Sequence, residues 1–589
     1  MAAADLPSPG IAQTLAGAGR VLALPTVMQG LAGIDVDELG SAPYTIAIVD
    51  GYWAPGDGGG GILQWTPAST AEPDGFLAFA PSRRRAGPAT GRWLRIVEPA
   101  RLTFEMAGAK GDGKTNDFAA CQHLLVRAKQ RFHGCRVQLQ PGRSYLIDYN
   151  NGGAQSFNVR LRHPKAGALV IPAHCVVEGP GGALGITARG VPELQIASRV
   201  VLHPQMTVFL SYFAELADLQ IVRKTIGGPV DNFEPSGPAN LDHMQAQIDL
   251  WFSEDGKNPE ANEGVRSVAI TNGGPDTKVR RVLVLGFNTA YVSDGFGRPV
   301  VSELYFDTAG TGVEITRSAD DALVEGCYSN SFWSSSIAPE KNAKGDHAAR
   351  PGIGFHFHDK TDGLRCIDCS AIGWAVGFRL ANVWSVTVVN PNAEPARQPA
   401  GLVTHGILTE DSVSHTTIIN PLVDGYTFKI DFQHRPFAKT TPTGPNGRPG
   451  LGQYATASVT LIGGSVQSNP RLDAPGSRAI RLGPYSSGMV TDVNLAGALL
   501  APAILAQAHV GIWKFIGLNP SGGMYQPMFE FETPADSRNV LRFGCDPIDG
   551  TAPAQWTMSG PLVLTDLPRS PAGLPPGALW RQGDTLRIV

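Results

Sequence analysis

Short apolar strands recur through the middle of this chain at a nearly constant step, and that repetition restricts the possible folds more than any other feature. Aligned, they read Gly312-Val313-Glu314-Ile315, Gly354-Phe355-His356-Phe357, Gly377-Phe378-Arg379-Leu380, Gly406-Ile407-Leu408-Thr409, Ala479-Ile480-Arg481-Leu482 and Ala503-Ile504-Leu505-Ala506. Gly354 precedes Gly377 by 23 positions, and Ala290, opening Ala290-Tyr291-Val292-Ser293, precedes Val313 by the same 23. A second strand follows in each unit, as in Val282-Leu283-Val284-Leu285, Leu364-Arg365-Cys366-Ile367, Val386-Thr387-Val388-Val389, Val459-Thr460-Leu461-Ile462 and Ile512-Trp513-Lys514-Phe515. Two or three short strands in a coil of about two dozen residues make a parallel β-helix, each coil burying its apolar row on the next. Leucine-rich repeats share that period but require fixed Leu and Asn positions, which these coils lack. Asp368, Asn390 and Asn420 recur after second strands, as side chains stacked on their own turns would.

The open end of such a stack exposes an apolar bore and bare strand edges. Residues 104–148 are suited to close it. A Gly-rich turn (Gly108, Gly111, Gly113, with Asp112) leads to Thr115 and Asn116, either of which can cap a helix. Phe118, Cys121, Leu124, Leu125 and Ala128 then recur at helical spacing, which predicts a helix over 115–131 with one apolar face. Arg127, Lys129 and Arg131 suit its C-terminal end. The period switches to two at Val137, Leu139 and Tyr145-Leu146-Ile147, around the turn Pro141-Gly142. The order GAKGDGKTNDFAACQHLL then VQLQPGRSYLI resembles the opening motif of the pectate-lyase-like superfamily of right-handed parallel β-helices, as found in phage tailspikes. The chain departs from it at Asn116-Asp117-Phe118, where the family usually has two acids and a Thr. The resemblance implies a homotrimer that binds or cleaves glycan, and names no sugar.

Composition agrees. Gly 70 and Pro 46 make about a fifth of 589 residues, too many for a helical protein and suited to many tight turns. A net charge of −4 gives no basic field for nucleic acid or an anionic membrane. Seven scattered Cys form no disulfide framework. The start, MAAADLPSPG, lacks a basic n-region, and the apolar stretch 11–31 is broken by Arg20 and Pro25. Neither a signal peptide nor a membrane span is expected. A protein acting on extracellular glycan without a signal would leave the cell on a virion released by lysis.

Residues 1–100 read as a small β-module: a strand at Tyr44-Thr45-Ile46-Ala47-Ile48-Val49, a glycine hinge over 51–65 and a closing strand at Gly91-Arg92-Trp93-Leu94-Arg95. No Lys-Ser/Thr follows the Gly run, so it is no phosphate loop. The module resembles the small N-terminal domains that join tailspikes to their virion. The β-helix is expected over 101–518. Beyond it, MFEFET, NVLRFG and LPPGALWRQGDTLRIV read as antiparallel hairpin strands of a trimerisation cap over 519–589, and the end resembles C-terminal segments of phage tail proteins. Departures from the period at 227–264, 331–351 and 432–454 mark long loops, where Trp251 and Trp333 could stack sugar rings.

Strand alternation selects the outward residues. With Val313/Ile315, Phe355/Phe357 and Phe378/Leu380 facing the bore, Glu314, His356 and Arg379 face out, with Tyr291 in their column one coil earlier and Thr316, His358 and Glu410 in a neighbouring one. At about 4.8 Å per coil the ladder runs roughly 15 Å, room for several sugar rings. It combines a carboxylate, a base near neutral pKa and a guanidinium that can grip an acidic sugar. A second acidic set is Glu303 and Asp307, with Asp320 and Asp321 one coil on; two such carboxylates would serve a glycosidase. Cys366 and Cys369 form a lone CxxC, and His356-Phe357-His358-Asp359 shows no third ligand, so no metal and no cofactor are expected.

Two functions fit. One is a tailspike-like depolymerase of a bacterial capsule, O-antigen or exopolysaccharide. As a lyase it would use Tyr291 or His356 as base and Arg379 as neutraliser; as a hydrolase, two of Glu303, Asp307, Glu314, Asp320 and Asp321. The other is a receptor-binding tail protein that holds glycan without cutting it.

Overall fold

The computed structural model describes residues 20–30, 44–80, 90–148, 167–181, 197–224, 267–329, 349–396, 401–434, 458–469, 472–473, 476–497, 502–508, 510–521, 528–533, 540–543, 572, 579–582 and 585–588. From Cys135 to Phe543 it is a parallel β-helix. A 12-stranded sheet runs from the strand Gly167–Ile171 to Phe529–Phe531, and a 24-stranded sheet holds the remaining strands of each coil; every pairing in both is parallel. One continuous apolar cluster fills the bore from Phe76 and Leu102 to Phe529 and Val540. Phe355 and Phe378 stack in it at 4.8 Å and 8°.

The recurring Gly that opens the strands has a steric cause. A Cβ at Gly312 would lie 2.0 Å from the Phe306 ring, at Gly354 2.8 Å from Ala371 Cβ, and at Gly406 2.2 Å from Val423. No side chain fits at these positions without displacing the residue it meets. The polar positions behave as the spacing predicts. Asp368, Asn390 and Asn420 occupy left-handed backbone at φ 53, 49 and 51°, and their side chains form a ladder: Asn390 Nδ2 donates to Asp368 Oδ1 at 2.7 Å, Asn420 Nδ2 to Asn390 Oδ1 at 2.9 Å.

The helix spans Phe118–Phe132 and buries Cys121, Gln122, Leu124, Leu125 and Ala128. Its N-cap position is Asp117, one residue beyond the predicted pair, but the Asp117 carboxylate accepts from the N–H groups of Lys110 and Gly111 at 2.7 and 2.9 Å and caps no helix N–H. Asn116 Oδ1 accepts the Phe118 N–H instead. Gln122 meets the end strand of the 12-stranded sheet: its Nε2 donates to Val170 O at 3.1 Å and its Oε1 accepts the Val170 N–H at 2.7 Å, filling two backbone groups an edge would leave open.

The N-terminal residues form a separate five-stranded sheet around Val27, Ala47, Val49, Tyr52, Leu63, Phe79 and Trp93. The glycine run docks it on the β-helix. A Cβ at Gly59 would strike Glu105 O at 2.4 Å, Trp53 Nε1 donates to Gly108 O at 2.8 Å, and Arg127 of the helix bonds Asp74 at 3.0 Å.

Two readings of the C-terminal residues are corrected. MFEFET and NVLRFG are not antiparallel: Phe529–Phe531 pairs in parallel with Ile504–Ala506, and Val540–Phe543 with Trp513–Ile516, because Phe529 and Val540 continue the bore. Leu579–Gln582 and Thr585–Ile588 do form an antiparallel hairpin. Among the described residues no helix is long and apolar enough to cross a membrane.

Candidate functional site

The outer face of the 12-stranded sheet carries a row of polar and charged residues in register. Register sets Glu314 beside His356 and His356 beside Arg379; the row continues through Leu408 to Asp431 and Arg481. At about 4.8 Å per strand these six positions span roughly 24 Å. The next row holds Thr316, His358, Ala381 and Glu410.

Side chains of the two rows interlock. His358 Nε2 lies 3.0 Å from Glu314 Oε1 and its Nδ1 2.9 Å from Asp359 Oδ2, so one imidazole is held between two carboxylates. The His356 ring stacks on His358 at 4.0 Å and 20°. Arg379 Nε donates to Glu410 Oε1 at 2.6 Å, which orients the guanidinium. Further along, Asp431 is fully buried between His405 at 2.8 Å and a two-pronged Arg481 at 2.8 and 2.5 Å. Burial raises its carboxyl, but His405 and Arg481 outweigh that and hold it below the ordinary value.

Other predicted residues lie elsewhere. Tyr291 does not join the outward row. It pairs with Val313, is 1% exposed and packs in the bore, because the step here is 22 and a one-residue slip reverses a strand's faces. Val292 takes the position beside Glu314. Asp307 is not an exposed acid either: it and Arg350 are both 0% exposed and form an ion pair. Glu303 sits exposed at a left-handed corner of the 24-stranded sheet, in line with Gly326. Asp320 and Asp321 lie in an exposed turn, Asp320 bonding Arg298 at 3.3 Å. Asp307 is thus sealed inside while Glu303, Asp320 and Asp321 stand at the surface. Trp251 and Trp333 lie outside the described residues. Cys366 and Cys369 are buried free thiols.

The spacing gave no sign of a second polar group, on the 24-stranded sheet. Glu394 and Asp424 follow the register pair Ala393 and Val423 on adjacent coils. Burial raises both carboxyls, and the Glu394 charge raises Asp424 further. Beside them the buried Lys429 amine donates to Asp473 at 2.8 Å. Only the coil stacking could have revealed this pair, since 30 residues separate its members.

No protein-family model matches the chain, and no curated protein matches it in sequence. Among solved structures it is similar to a tailspike protein of Acinetobacter baumannii bacteriophage Fri1, a capsular polysaccharide depolymerase, at 13% identity over 90% of this chain and 76% of that one, with a TM-score of 0.41. The Acinetobacter phage vb_AbaP_AS12 tailspike gives 12% identity over 95% and 82%, TM-score 0.47. The mannuronan C-5 epimerase A-module of Azotobacter vinelandii gives 10% over 73% and 100%, TM-score 0.37. What the chain shares with parallel β-helix proteins is the stack of coils described above.

Proposed function

We propose that this protein is a tailspike-type depolymerase that binds and cleaves an acidic bacterial polysaccharide along the outer face of its 12-stranded sheet. The observation that carries the reading is the row of Glu314, His356 and Arg379 on successive strands, with His358 held against Glu314 at 3.0 Å. Arg379, oriented by Glu410, would neutralise a uronate carboxylate. His356 would take the proton on the adjacent carbon, that electron pair forming the carbon–carbon double bond as the glycosidic C–O bond breaks. The leaving oxygen would take its proton from the Glu314–His358 pair. Tyr291, buried in the bore, is no longer a candidate base. The protein would work extracellularly as a homotrimer on a phage virion, joined to tail or baseplate through the module at 1–100, with Trp251 and Trp333 as sugar platforms and the residues after Phe543 closing the trimer.

A hydrolytic reading has its own support in Glu394 and Asp424. They stand on adjacent coils, close enough that the Glu394 charge raises the Asp424 carboxyl, and a glycosidase needs two neighbouring carboxyls of which burial favours a protonated member. Incubation with capsular polysaccharide or exopolysaccharide separates the outcomes. Unsaturated-uronate absorbance means the lyase. New reducing ends without it, abolished by Glu394→Gln, mean the hydrolase. Tight binding with no product means an adhesin and ends the depolymerase reading.

A further inference from the structure

We propose that Glu314, His356 and His358 bind a divalent transition-metal cation of the zinc or cobalt type on this face. One donor atom from each lies within 4.8 Å of the other two, and among the described residues no other His, Cys, Asp or Glu trio does so. The third ligand missing from His356-Phe357-His358 is Glu314, 44 residues ahead of His358 and brought there by register alone: Glu314 pairs with His356, and Thr316 with His358. Both imidazoles leave the same side of one strand.

The surroundings are those of a ligand set. His358 Nδ1 is engaged by Asp359 at 2.9 Å, which turns Nε2 toward Glu314; metal-bound imidazoles carry such an outer carboxylate. The strand has an irregular register between His358 and Thr361, with Asp359 and Lys360 in left-handed backbone, and such bulges re-aim side chains. Glu314 is 5% exposed, so its charge is largely removed from water and a cation would compensate it. Two nitrogens and one oxygen select zinc, cobalt or nickel over calcium or magnesium, which take oxygen alone. A tetrahedral ion about 2.0–2.1 Å from each donor holds them roughly 3.3 Å apart. The His358–Glu314 contact at 3.0 Å already suits that, and with all three donors within 4.8 Å the His356 nitrogen has at most about 1.5 Å to close. Three protein ligands leave a fourth position open. With the cation bound, His356 and the Glu314–His358 pair are ligands and do not carry the proton transfers proposed above, so the metal-bound face is an alternative to that base and acid; only the use of the open position, to grip a sugar carboxylate together with Arg379, rests on the polysaccharide reading.

The test uses the full chain after dialysis against EDTA, titrated with Co²⁺ and followed by its visible d–d absorption and by calorimetry. One Co²⁺ per chain is expected, displaced by Zn²⁺ and not by Ca²⁺. Glu314→Gln and His358→Ala should each weaken binding at least tenfold and Asp359→Asn about tenfold, with circular dichroism of all three unchanged. Should a variant fail to fold, His356→Gln with the same readout replaces it. Absence of cobalt bands, or a stoichiometry and affinity unmoved by these changes, overturns the site. If the metal-free protein that binds no cobalt still cleaves polysaccharide, the metal proposal fails and the depolymerase reading stands. Glu314-dependent cobalt binding without cleavage supports the site and removes that reading instead.

Discussion

Asp307 and Glu314 are seven residues apart, both are acids on coil strands, and both are almost completely hidden from water, yet their partners differ. Asp307 meets the Arg350 guanidinium in a pair with no exposed surface and with Arg350 also over the Trp374 ring at 5.8 Å. Glu314 meets the imidazole of His358, which keeps a little exposed surface and has a second carboxylate, Asp359, on its other nitrogen. Burial alone therefore does not separate a structural acid from a chemical one. What separates them is the partner: a guanidinium sealed in with its acid, or a part-exposed imidazole that a second carboxylate also holds.

The comparison breaks first at the buried pair. Arg350→Met should strand the Asp307 charge and cost on the order of 3–5 kcal/mol, seen as a large drop in the denaturation midpoint. A midpoint shift of a few tenths would show that the two acids are energetically alike. The next effect concerns pH. His434 is buried beside Thr409, and burial lowers its imidazole to about 4, only partly countered by Asp431. Its folded value lies below the unfolded one near 6.5, so the unfolded chain takes up the proton first. The stability tied to neutral His434 is complete above about pH 6.5 and is lost as pH falls toward 4, on the order of 3 kcal/mol in all. His434→Gln should flatten that part of the stability profile; an unchanged slope assigns the loss to another group.

On the open face, Glu314→Gln, His356→Ala and Arg379→Ala should each cut polysaccharide turnover at least tenfold, about 1.4 kcal/mol in the barrier, with melting temperature nearly constant. Asp320→Asn, in its exposed turn, should leave turnover unchanged; the reverse pattern would move the site to the turns. The smallest effect is expected at Tyr291, whose hydroxyl bonds Thr277 and Ser293 within the bore. Tyr291→Phe should cost about 1 kcal/mol of stability and nothing in turnover, measured by urea unfolding beside the same activity assay.

Much of this was legible in the residues. The Gly-led repeats fix a parallel stack because only coils of that length bury such short apolar rows on one another, and the amphipathic run near 118–132 fixes a helix at its start. Glu314, His356 and Arg379 share a face because alternation with Phe355, Phe357, Phe378 and Leu380 leaves them no other. Tyr291 was misplaced because a 23-residue step fits Ala290 to Val313 as well as the true step fits Tyr291 to Val313, and nothing local distinguishes a buried Tyr from an outward one. What only the tertiary structure decided are the meetings across coils: Arg350 over Asp307, Glu394 beside Asp424, and Glu314 completing the two imidazoles. Periodicity sets the face on which a side chain emerges. The residue one coil away that meets it depends on loop lengths that carry no period.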